Sequence, residues 1–129
     1  MAINEETRQL DIAGELEATA RTLAHSTRSV PKPFESYRLL GELSATADHL
    51  AQVLAQLATW HAATQDGTHY DGEDEGRTGS PQAAADELHA AARAVTEASE
   101  HIGRAHAHNG VVRWYETPQG SRERGMTTT

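Results

Sequence analysis

Between Phe34 and Ala63, Leu40, Leu43, Ala47, Leu50, Leu54 and Leu57 recur at alternating three- and four-residue steps. This spacing sets all six side chains on one narrow stripe of an α-helix, the geometry of a heptad seam that packs against another helix. Ala47, Ala51, Ala55, Ala58 and Ala62 follow one flank of the same helix, and side chains this small let a neighbour approach closely. A second stretch complements the first. Ala84, Leu88, Ala91, Val95, Ala98, Ile102 and Ala105 alternate by four and three, so one helix offers mostly Leu where the other offers mostly Ala. A weaker stripe runs through Ile12, Leu16, Thr19, Leu23 and Thr27, interrupted by Gly14, a residue that costs about 1 kcal/mol relative to Ala in a helix interior.

Punctuation signals divide these stripes. Asn4 followed by Glu5 and Glu6 reads as an N-cap with acids in the first turn, where they favour the positive end of the helix dipole. Val30-Pro31-Lys32-Pro33 stops that helix, because proline lacks an amide donor and holds the preceding residue extended. Ser80 reads as the N-cap of the last helix, with Pro81 at its first position and Asp86 and Glu87 soon after. Asn109-Gly110 predicts a left-handed stop. The spacing predicts an all-α protein with helices at about 4–28, 34–64 and 81–108. The second and third form a long, Ala-rich, coiled-coil-like antiparallel hairpin, the first packs alongside, and dimerisation completes the bundle. Residues 65–80 read as a flexible acidic loop, and the helical domain ends near residue 116. Val111 to Tyr115 has strand-forming side chains but no second strand to pair with, and is predicted to fold back on the bundle. Residues 117–129 lack apolar periodicity and are predicted to be disordered.

Composition sharpens the need for a partner. The chain of 129 residues holds 22 Ala but only 18 Leu, Ile and Val together, and one Phe. Burial stabilises at roughly 25 cal/mol per Å² of apolar area, and Ala offers little, so the helices alone form a thin core that self-association would thicken. A formal charge of −8 opposes general attraction to nucleic acid or anionic membranes. With no Cys there are no disulfides, thiolate metal sites or thiol nucleophile. No apolar run approaches the roughly 20 residues of a membrane span, and Met1 to Gln9 is polar and acidic, so the expected address is cytoplasmic.

The candidate chemistry is sparse. Eight histidines invite a metal test, yet His101, His106 and His108 are not spaced one helical turn apart. Asp86 with His89, and Glu97 with His101, would give two ligands each, but the di-iron bundle pattern needs equivalents on other helices and none is present. No metal or cofactor is expected, and His61, which continues the Leu seam, is the histidine expected to be buried. Counting from Asp71 as the first position of a calcium loop, Gly76 fits position six, but position twelve is Gln82 instead of Glu, leaving a solvated acidic loop. Arg21, His25, Arg28, Lys32 and Arg38 form a cationic strip suited to phosphates or an acidic partner. No Ser-His-Asp order, phosphate loop or paired carboxylate stands out, so no catalytic residue is expected. The hairpin also lacks the Trp-x-Gly turn of the WXG-type secretion substrates, since Trp60 is followed by His61 and Ala62.

The expected function is therefore that of a non-catalytic interaction or scaffold module, such as a small accessory protein of a phage or mobile element. It would act by forming dimers or tetramers and binding a protein partner. Its interface residues would be Leu40, Leu43, Leu50, Leu54, Leu57, Leu88, Val95 and Ile102. One alternative is a nucleic-acid-associated regulator using the cationic strip. Another is a metal- or small-ligand-binding bundle using His and Glu of the third helix.

Overall fold

The computed structural model describes residues 7–29, 32–65, 67–72 and 79–119. It contains three α-helices and, among the described residues, no strand. The chain falls into two compact units, Met1–Glu35 and Ser36–Thr129.

In the first unit, α1 spans Gln9–Ser26. The expected cap at Asn4 lies outside the described residues. Arg8 stands at the cap position and makes no side-chain capping bond, while Asp11 in the first turn and His25 in the last each suit the helix dipole. Thr27 ends the helix by donating its hydroxyl to Leu23 O at 3.0 Å. A short 3-10 turn, Pro33–Glu35, follows Lys32.

The second unit is the antiparallel hairpin that the two strong stripes predict: α2, Ser36–Ala62, against α3, Ser80–Asn109. At 1.5 Å per residue each helix is about 40 Å long. The core is made of small residues. Ala58, Ala85, Ala92 and Ser99 are each at most 9% exposed, and among the described residues no large side chain is fully buried. Ser99 Oγ lies 3.3 Å from Ser44 O and also donates to Asp48. One end closes with Tyr37 stacked on His106 at 3.9 Å between ring centroids, and with Asn109 Nδ2 donating to Ser36 Oγ at 3.0 Å. These contacts set the register, which carries Ala51 to the level of Ala92 and Ala58 to that of Ala85.

The line of closest approach therefore runs one residue away from the expected seam on both helices. It follows Ser44, Ala51 and Ala58 instead of Leu43, Leu50 and Leu57, and Ala85, Ala92 and Ser99 instead of Ala84, Ala91 and Ala98. Close approach of two backbones favours the smallest side chains at the contact line, and the leucines are displaced to its flank.

Three local expectations are corrected. Ser80 is the first helical residue and not the cap. Its N–H and Oγ both donate to Asp71 Oδ2, at 3.1 and 2.8 Å, so a loop carboxylate does the capping from nine residues upstream. Replacing Asp71 with Ala is expected to cost about 1 kcal/mol in a urea titration. Gly110 is right-handed, at φ −62°, so no left-handed stop exists there. What Gly110 supplies is space, since a Cβ at that position would lie 2.9 Å from Tyr37 Cε1. Gly110→Ala must displace the Tyr37 ring and is expected to cost about 1–3 kcal/mol. Gly103→Ala, whose Cβ would meet Ser44 Oγ at an ordinary 3.9 Å, should gain up to about 1 kcal/mol of helix propensity. Thermal denaturation of the two variants should shift in opposite directions. Finally, Val111 to Tyr115 does not fold back on the hairpin: Val111, Val112, Trp114 and Tyr115 are all exposed.

Candidate functional site

Once the contact line is known, the two broad faces of the hairpin follow from the turn of about 100° per residue. On one face, α2 places Leu40, Ala47 and Leu54 beside the contact line, then Leu43, Leu50 and Leu57, then Thr46, Val53 and Trp60. The same face of α3 carries Leu88, Val95 and Ile102 beside the line, and Ala84, Ala91, Ala98 and Ala105 outside them. All eight residues expected at an interface lie here. Leu40, Leu43, Leu54, Leu88, Val95 and Ile102 are half-buried. Leu50, Leu57 and Val53 are 37%, 42% and 47% exposed. The ionisable groups on the α2 half of this face are His61 and, on the outermost row at the angular position of Trp60, Glu42.

The opposite face is polar. An open groove of about 800 Å³ has Ala51, Ala55 and Ala92 in its floor and is edged by Asp48, Gln52, His89, Arg93 and Glu100 among others. Arg104 donates to His101 Nδ1 at 3.1 Å. The Ser99 hydroxyl points at Asp48 and is buried, so its oxygen offers no face to a substrate. Asp86 with His89, and Glu97 with His101, are exposed on α3, and no group of three His, Asp or Glu among the described residues is arranged to hold a metal ion.

A smaller cavity of about 490 Å³ lies at the loop end, between His61, His69, Asp71, Pro81 and Ala84. His61 is half-buried instead of buried, and its Nδ1 is 2.7 Å from Leu57 O. A carbonyl only accepts, so Nδ1 carries the proton there. Sequence spacing gave no signal for His69, whose two ring nitrogens are buried without a hydrogen-bond partner among the described residues. Gly67, at φ +89°, makes the left-handed turn that starts this loop.

The cationic strip is split between the two units. Arg21, His25 and Arg28 are exposed at the end of α1 and just beyond it, Lys32 is exposed before the 3-10 turn, and Arg38 belongs to α2. Arg21 also pairs with Glu17, with Nε to Oε2 at 3.2 Å, which offsets its charge toward an anion. Hydrogen bonding to Glu17 raises the Arg21 pKa above its ordinary value. A raised cation contributes stability that is fully present below its unfolded pKa and lost only above its folded one, so this pair gives no pH switch in the physiological range. Three helical threonines are occupied locally as well: Thr22, Thr46 and Thr59 each donate to the carbonyl four residues back.

No helix among the described residues is long and apolar enough to cross a membrane. Comparison with protein families, curated proteins and solved structures finds no match to this chain.

Proposed function

We propose that this protein is a non-catalytic helical interaction module that works by self-association and by presenting its remaining faces to a partner. One observation carries the reading: the hairpin spends its smallest residues on its own contact line and leaves Leu50, Val53, Leu57 and Trp60 exposed on one side of α2. A helix whose apolar residues extend this far round its circumference is built to meet more than one neighbour. Exposed apolar patches of this kind, rimmed by polar residues, mark interaction surfaces.

The test compares the native chain with Leu50→Asp combined with Leu57→Asp. Molar mass by light scattering and binding of an apolar fluorescent dye are both measured. A docking face requires that at least one of the two changes, either by loss of assembly or by loss of dye binding. If neither mass nor dye binding responds, the face is an ordinary surface and the reading fails.

A further inference from the structure

We infer that the apolar face is filled by the same face of a second copy, related by a two-fold axis parallel to the helices, so that α2 of each copy lies on α3 of the other. This rests on the interaction-module reading and names its occupant. Length is the first reason. The face runs along helices of 27 and 30 residues, about 40 Å, whereas a helix of 18 residues such as α1 spans about 27 Å. Another hairpin of the same kind matches the face from end to end.

Shape is the second reason. The α2 half is a ridge of Leu43, Leu50 and Leu57, and the α3 half is a row of hollows over Ala84, Ala91, Ala98 and Ala105. A two-fold interface must be self-complementary, and a face holding both a ridge and its groove meets that condition. With the axis parallel to the helices, residues of α2 keep their height. Leu50 then comes over the partner's Val95 and sits in a hole whose corners are Ala91, Ala94, Val95 and Ala98 of the opposing helix. The other in-plane axis stacks leucine ridge on leucine ridge and alanine row on alanine row, leaving gaps over the alanines. Charge is the third reason. The α2 ridge that enters the interface bears no acid, Lys or Arg, so it meets Glu87 of the opposing helix without like-charge repulsion.

Because the chain has no Cys, single thiols report on this geometry without background. Leu50→Cys and Val95→Cys chains are prepared separately, checked for native helicity by circular dichroism, mixed, and oxidised with glutathione disulfide. The mixture should yield a covalent dimer of twice the 14.0 kDa chain mass, while either variant alone should yield at most a tenth as much. In parallel, light scattering of the native chain should give a dimer, or a tetramer built from that dimer, across a concentration series. A monomer at every concentration overturns the second-copy proposal and the self-association half of the interaction-module reading, and if that monomer binds the apolar dye the partner-binding half survives without it. Cross-linking of Leu50→Cys alone as fast as the mixture places α2 on α2 and overturns the proposed axis.

Discussion

Replacing Ala58 with Leu is expected to separate α2 from α3 and to produce the largest loss of stability of any single change in the hairpin. Ala58 is fully buried and stands level with Ala85, itself 2% exposed, where the two backbones come closest. Three extra heavy atoms have no void to enter, so the helices must move apart, and the small-residue contacts along the line are lost together. Overpacking in ordinary cores costs about 1–3 kcal/mol. A two-helix core with no large buried side chain has little else to hold it, so about 3 kcal/mol is expected here. Ala58→Ser is the control. Ser99 already occupies the equivalent place two heptads along α3, and a helical hydroxyl can donate to the carbonyl one turn back. Thermal unfolding followed by circular dichroism should show a large fall in midpoint for Leu and a small one for Ser. Equal midpoints for Ala58→Leu and the native chain would mean that the close contact line does not exist in solution.

Leu50→Asp combined with Leu57→Asp should dissociate the assembly while leaving the hairpin helical. At 37% and 42% exposed, each leucine already buries more than half of its surface within its own chain, so lost apolar burial at the interface is limited to about 1 kcal/mol per residue. The larger effect is the carboxylate, which must lose water on docking and finds no Lys or Arg on the opposing alanine row. In the proposed two-fold dimer four such charges enter one interface. A rise in the dissociation constant of more than about 100-fold is expected, equivalent to about 2.7 kcal/mol. Because both positions lie on the flank of the α2–α3 contact, helicity measured at the same concentration should be retained. Retention of the native mass by this double variant would remove the face from the interface.

The helices and their pairing were legible because periodicity records which side of a helix avoids water. The same periodicity could not decide between two consecutive positions at the edge of the stripe. Leu43 and Ser44, Leu50 and Ala51, and Leu57 and Ala58 are about 100° apart around the helix, and hydrophobicity favours the leucine of each pair. Steric fit between two backbones favours the smaller residue, and that preference is a property of the pair of helices. The cap of α3 escaped for a related reason: Ser80 is a good N-cap by type, but the carboxylate of Asp71 reaches the helix start only once the loop has turned at Gly67. His69 was likewise invisible, since its burial depends on what the loop folds against.

The sequence by itself determined the number of helices, their approximate extents, the pairing of the second with the third and the presence of an apolar stripe along each, because each of these depends on local spacing and residue type. Only the tertiary structure decided which part of that stripe is spent inside the chain and which part stays exposed. That division rests on the distance between two helix axes, which small residues shorten and no single helix encodes.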